Sequence, residues 1–253
     1  MCRPWADTRV RPYNANLATH SALRGFFLYC GEPSELVAAS HRIMRIGIIG
    51  AGMIGSAMAK LWASAGHDIR LSSRHPDALH ALVDTLGPNA AVATPAQAAA
   101  FGDVVMLTVP LSAVPGLAPE LAPLLAGKVV VDTGNAYEKR DGDSAREATN
   151  HSGGSAAWAA AFFPKARWVK GFNTVYFKVL ESEAHRAGDR VGIPLASDDR
   201  DAMDLVAGLV RDAGFDPVIA GALARGKEFE PGAPTYNTGM SGTEVRKLLG
   251  LSS

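Results

Sequence analysis

The sequence predicts an α/β fold: a doubly wound, mostly parallel β-sheet covered by helices on both faces, with a small C-terminal extension. Three observations predict it. From Met44 onward, short β-rich runs alternate with alanine-rich stretches of helical character, the order that a parallel sheet with crossover helices requires. The first of these runs leads directly into a glycine-rich turn and then a helical segment. The chain has 253 residues, 47% hydrophobic and 20% charged, enough to bury a substantial core without disulfide or metal support.

Strands are expected at 45–49, 68–72, 90–93, 103–109, 128–132, 167–171, 190–196 and 216–219. Helices fit between most of them, at 53–65, 76–86, 95–100, 112–125, 155–162, 175–186 and 199–213. Pro76 suits the start of the second helix, with Asp77 in its first turn, where a negative charge complements the helix dipole. A last helix at 241–249 follows Ser241, and Glu244 three residues on completes the spacing of a capping box. The longest break, Asn135 to Gly154, is rich in Gly, Asp and Ser and reads as a mobile loop above the strand ends. Residues 1–43 show no sustained periodicity and read as an N-terminal extension, a disordered arm or an upstream mis-start. Residues 44–253 then form one nucleotide-binding domain of Rossmann type, whose C-terminal portion begins near residue 189.

Charge and composition exclude several functions. Lys plus Arg and Asp plus Glu each total 25, so no field of one sign is available for nucleic acid or an anionic membrane surface. No apolar run approaches the roughly 18 residues of a spanning helix, and the patch at 25–30 is shorter than a signal-peptide core. A cytoplasmic protein is expected. Cys2 and Cys30 both precede the predicted domain, which removes thiol chemistry from it, and the seven histidines show no metal-binding pairing. No metal is expected.

The functional signal is Gly50-Ala51-Gly52-Met53-Ile54-Gly55, which follows strand 45–49 and opens helix 53–65. Gly50 allows a tight turn, Gly52 lets backbone N–H groups approach a pyrophosphate, and Gly55 lets helix and strand pack closely. The second strand indicates which dinucleotide. Leu71-Ser72-Ser73-Arg74 lacks the carboxylate that would accept a ribose 2′-OH, whereas Ser73 and Arg74 suit a 2′-phosphate. NADP(H) is expected. Ligands of open α/β sheets sit beyond the carboxyl ends of the strands. Val109 and Pro110 should therefore pass under the ribose and nicotinamide, Asp132 and Asn135 should lie near the reacting ring, and Asn173 and Thr174 should supply polar groups.

The segments GIIGAGMIGSAMAKLWASAGHDIRLSSRHP, VVMLTVP, VVVDTGN, VKGFNTV and VGIPLASDD occur in this order. Together they resemble the NADPH-dependent coenzyme F420 reductases, the 8-hydroxy-5-deazaflavin:NADPH oxidoreductases, from Met44 to about Leu251. The run Ala224 to Gly232 followed by Tyr236-Asn237 is also similar to bacterial members. The resemblance implies a deazaflavin stacked over the nicotinamide of NADP. It carries cofactor contacts onto Ala51 to Ile54, Ser73, Arg74, Val109 and Pro110, and places Gly171 to Thr174 near the hydride-transfer centre.

Ring-to-ring hydride transfer needs positioning and exclusion of water more than acid or base groups, and no catalytic side chain is assigned from sequence. The expected function is hydride transfer between NADPH and coenzyme F420 or a flavin-like acceptor, the latter being a small-molecule partner. The alternatives are an NADPH-dependent reductase of a small imine or carbonyl compound and a non-catalytic NADP sensor. Hydroxy-acid dehydrogenases of the β-hydroxyacid type fit less well, because Lys178 is followed four residues on by Ser182 rather than asparagine. The sequence leaves the oligomeric state open, a homodimer included.

Overall fold

A computed structural model of the chain describes residues 42–252, so most of the predicted extension lies outside the described residues. The sheet strands are β1 (Arg45–Ile49), β2 (Asp68–Ser72), β3 (Ala90–Ala93), β4 (Val104–Leu107), β5 (Val129–Asp132), β6 (Arg167–Lys170), β7 (Gly192–Ala196) and β8 (Asp216–Gly221). They form one eight-stranded sheet in the order β3-β2-β1-β4-β5-β6-β7-β8. The first six strands are parallel to their neighbours in the 3-2-1-4-5-6 order of a dinucleotide-binding fold. β7 pairs antiparallel with β6 through Lys170 and Ala196, and β8 pairs parallel with β7. The C-terminal portion thus extends the same sheet.

The helices are α1 (Met53–Ser64), α2 (His80–Leu86), α3 (Pro95–Phe101), α4 (Val114–Leu125), α5 (Glu138–Asp141), α6 (Asp143–Asn150), α7 (Gly154–Ala160), α8 (Phe177–Glu183), α9 (Arg200–Asp212) and α10 (Gly242–Leu248). Short 3₁₀ turns at Pro76–Leu79 and Leu111–Ala113 precede α2 and α4, and another spans Leu223–Phe229. Both faces of the sheet are buried, as crossover connections require. Ile46, Ile48, Val104, Met106, Val129 and Val131 point to a core shared with α1 and α9. Their neighbours Val105, Leu107 and Val130 point to a second core under α3, α4 and α7. Trp62, fully buried, donates its indole N–H to Leu209 O at 3.0 Å and meets Phe172 edge to face at 5.8 Å. Among the described residues no helix is long and apolar enough to cross a membrane.

The break expected from Asn135 to Gly154 is not a loop, because α5 and α6 occupy most of it. Its short, charged run hides two anchors. Ala145 and Ala148 are buried one helical turn apart. The buried Asp141 carboxylate accepts hydrogen bonds from Ser112 N and Oγ, Tyr137 N and Arg140. Ser241 and Glu244 do form the predicted capping box of α10.

α9 starts at Asp199, which accepts from Ala202 N at 2.9 Å and pairs with Arg167 at 2.6 Å. The Arg167 guanidinium, followed by the Ala202 amide, lowers its carboxyl from the usual 3.8 to about 2. A depressed folded-state pKa stabilises the protein above the unfolded value and loses that contribution as pH falls through the folded one. Asp199→Asn is therefore expected to flatten the acid limb of a melting-temperature profile between about pH 4 and pH 2.

Candidate active site

The carboxyl ends of β1, β4, β5 and β6 open into a cavity of about 520 Å³. Five segments line it: Gly52 to Ile54, Thr108 to Pro110, Thr133 to Asn135 with Tyr137 and Arg140, Phe172 to Phe177, and Tyr236-Asn237. The three fingerprint glycines have distinct geometries. Gly50 takes φ +107°, and a Cβ there would lie 2.3 Å from Thr108 O; one at Gly55 would lie 2.0 Å from Gly50 O. Those two glycines let turn, helix and sheet approach one another. A Cβ on Gly52 would meet no atom within 4 Å. Its space is open on the ligand side.

Gly52 caps α1 without a side-chain hydrogen bond, and no acidic residue lies in the first turn. The helix therefore presents unsatisfied N–H groups and the positive end of its dipole to the cavity, which suits a diphosphate. At the end of β2, Ser72 is buried and donates to Ile48 O at 3.1 Å. Beyond it Arg74 is exposed and, among the described residues, makes no ion pair. Ser73 Oγ accepts from His75 N at 3.0 Å. No carboxylate stands at this strand end, so these residues fit a 2′-phosphate better than a free 2′-OH.

The far end of the cavity rests on a pair of asparagines. Asn135 Nδ2 donates to Asn173 O at 2.8 Å, and Asn173 Nδ2 donates to Asn135 Oδ1 at 3.0 Å and Phe229 O at 3.1 Å. Asn173 Oδ1 and Thr174 Oγ1 are buried with no protein partner. Buried polar atoms rarely stay unpaired, so two at a cavity wall suit hydrogen bonding to a bound molecule. The residues present therefore fit a dinucleotide along the length of the crevice.

The structure brings Gly52, Met53, Ile54, Val109, Pro110, Asn135 and Asn173 together on one cavity. Gly50, Ala51 and Gly55 shape the turn behind it, and Ser73 and Arg74 lie beyond it at the end of β2. Gly171 is buried but does not line the cavity: a Cβ there would sit 2.6 Å from Leu195 Cδ2. Asp132 also turns away from it. It accepts from Gly134 N at 2.8 Å and from the fully buried Lys170 Nζ at 3.1 Å. Lys170 also donates to Gly134 O and to Ser155 Oγ at 3.3 Å, and Ser155 Oγ donates to Glu230 at 2.5 Å. This buried network holds the loop that carries Asn135. Breaking a buried pair leaves an uncompensated charge, so Lys170→Met should lower unfolding free energy by about 3–5 kcal/mol. Lys170→Met combined with Asp132→Leu should recover most of that loss in urea denaturation, since neither charge then remains.

Tyr137, Arg140, Tyr176 and Phe177 at the cavity were not singled out from sequence, and Tyr236-Asn237 entered only through the family resemblance, without a role. Tyr137 and Tyr236 meet hydroxyl to hydroxyl, and the Arg140 guanidinium lies 4.7 Å from the Tyr137 ring centroid. Asn237 N donates to Thr174 O at 2.7 Å, which docks the C-terminal segment over the site. The left-handed backbone at Asn237, φ +55°, aims that amide inward. The signals available in the sequence were a tyrosine shortly after β5 and the Tyr236-Asn237 pair between β8 and α10.

Fold, turn and cavity together define a dinucleotide-binding α/β protein. Residues 45–136, running from β1 to just past β5, match the family described as NADP oxidoreductase, coenzyme F420-dependent. The resemblance read from the sequence is borne out over this nucleotide-binding segment, and the match indicates an NADP-dependent oxidoreductase. No curated protein matches. Among solved structures, a hypothetical protein from Sinorhizobium meliloti is similar at 28% identity and TM-score 0.68, over 79% of this chain and 96% of that one. A candidate F420-dependent NADP reductase from Arthrobacter sp. FB24 shares the fold at 21% identity and TM-score 0.63, over 78% and 99%. An imine reductase from Pseudomonas sp. shares it at 17% identity and TM-score 0.52, over 78% of this chain and 58% of that one.

Proposed function

We propose that the protein transfers hydride between NADPH and a planar tricyclic acceptor, a deazaflavin such as coenzyme F420 or a flavin. The observation that carries this reading is the cavity itself, which continues from Gly52 at the diphosphate end to aromatic walls at Phe172, Tyr176, Phe177 and Tyr236. Apolar walls with a few fixed polar groups favour a flat ring laid on a second flat ring. NADPH, when bound, supplies the hydride. The α1 N-terminus holds the diphosphate, and Ser73 and Arg74 hold the 2′-phosphate. Val109 and Pro110 support the ring, Asn173 and Thr174 orient it through their two unpartnered oxygens, and Asn135 holds Asn173 in place. The aromatic walls and the docked Tyr236-Asn237 segment exclude water from the ring pair.

A second reading, reduction of a small imine or carbonyl compound, is favoured by the Tyr137 and Tyr236 hydroxyls, because the localised anion those reactions generate depends on a nearby proton donor more than a reduced ring, which spreads its charge. The test is to mix the protein with NADPH and, separately, coenzyme F420, FMN, FAD, a small ketone and a cyclic imine, following loss of nicotinamide absorbance. Oxidation with one of the tricyclic acceptors is the expected result. Oxidation with the ketone or imine and none of the tricyclic compounds overturns the first reading in favour of the second.

A further inference from the structure

Hydride transfer leaves a deazaflavin, flavin, imine or carbonyl acceptor one proton short, and the proton has to come from the cavity wall or from water. Thr108, Thr133, Asn135, Asn173, Thr174 and Asn237 line the cavity with alcohols and amides, which are weaker acids than a phenol. Asp132, Lys170 and Glu230 are tied to one another through Ser155 and do not line it. Tyr176 lies at the rim with its ring against Phe177 at 4.6 Å. Tyr137 and Tyr236 differ from all of these, because two phenols from loops 99 residues apart join into one chain across the cavity. Tyr236 is the inner, half-buried member, and Tyr137 is the outer one, 36% exposed.

We infer that Tyr236 donates the proton that accompanies hydride transfer, with Tyr137 as its relay to solvent and Arg140 as the charge that supports the relay. The inference rests on the oxidoreductase reading above and holds for either acceptor class. Hydride leaves NADPH as a bond forms at the acceptor, and an acceptor π-electron pair moves onto a conjugated nitrogen or oxygen. That atom takes the Tyr236 hydroxyl proton. The resulting phenolate takes a proton from Tyr137, which recovers one from water at the rim. The net change is NADPH plus acceptor plus one proton giving NADP and the reduced acceptor. Arg140 is paired with Asp141 at 2.8 Å, which fixes its guanidinium over the Tyr137 ring, beside the negative charge that passes through the two phenols. Burial and the bond to Tyr137 hold the Tyr236 phenol above its ordinary value, so it carries its proton at neutral pH and gives it up only as negative charge develops on the acceptor.

The test uses the full chain and whichever acceptor among F420, FMN, FAD, ketone and imine the wild type reduces. Tyr236→Phe should lower kcat about a hundredfold, in the range for loss of a general acid. Its NADPH dissociation constant, by fluorescence titration, should stay within about twofold, and that of the oxidised acceptor for the NADP-loaded protein within about threefold. Tyr137→Phe should lower kcat about tenfold, because water can still reach Tyr236. Tyr236→Ala should regain activity in proportion to added imidazolium, a rescue that a merely structural role would not produce. Full turnover in Tyr236→Phe, or a loss confined to binding, overturns the proton couple and leaves the oxidoreductase reading standing. A wild type that binds NADPH and reduces none of the five acceptors overturns both.

Discussion

Gly52→Val is expected to abolish NADPH binding in a protein that still folds, whereas Gly55→Val is expected to prevent folding. The contrast follows from what a side chain would meet. At Gly52 the backbone has an ordinary φ of −75°, and a Cβ meets no protein atom within 4 Å. The melting temperature should stay within a few degrees. The occupied space is, however, the one through which a diphosphate reaches the first-turn N–H groups of α1. Loss of affinity should be at least about a hundredfold, or roughly 2.7 kcal/mol. At Gly55 a Cβ would lie 2.0 Å from Gly50 O and 2.8 Å from Thr108 Cγ2, so α1 would be pushed off the sheet. Differential scanning fluorimetry with calorimetric NADPH titration separates the two effects. If both variants fold and bind alike, the assignment of the crevice is wrong.

Arg74→Ala should weaken NADPH binding about ten- to a hundredfold and NADH binding hardly at all, corresponding to about 1.5–3 kcal/mol for a lost charge-assisted contact. Arg74 makes no ion pair among the described residues, so its guanidinium is available to a phosphate without first giving up a partner. Nothing in the packed structure depends on it, and stability should not change. Calorimetric titration of both dinucleotides checks this: an equal loss for the two would mean that Arg74 contacts something they share.

The two predictions use residues that could be read without the structure, which follows from how the nucleotide half is encoded. Gly50, Gly52 and Gly55 serve a turn only a few residues long, and Ser73 and Arg74 stand directly after a strand whose end faces that turn. Such local chemistry leaves its pattern in contiguous sequence. The aromatic end of the cavity does not. Tyr137 and Tyr236 come together only when Asn237 docks on Thr174 and Asn173 reaches Phe229 O, contacts across more than fifty residues. Gly171 shows the converse error. The family resemblance placed it near the hydride-transfer centre, but its backbone faces Leu195 instead of the cavity.

The order of strands and helices, the parallel pairing of the first six strands and the dinucleotide turn were all legible in the residues, because each rests on periodicity or on short-range backbone requirements. Tertiary structure decided the rest. It sealed Asp132 beneath Lys170, where an unpaired charge would be costly, and kept it off the cavity wall. It also ordered Asn135 to Gly154 into two short helices through the buried Asp141 carboxylate, although the local sequence is too polar and too short to be helical by itself. The roof of the cavity belongs to this second group, since hydrogen bonds between distant loops have no signature along the chain.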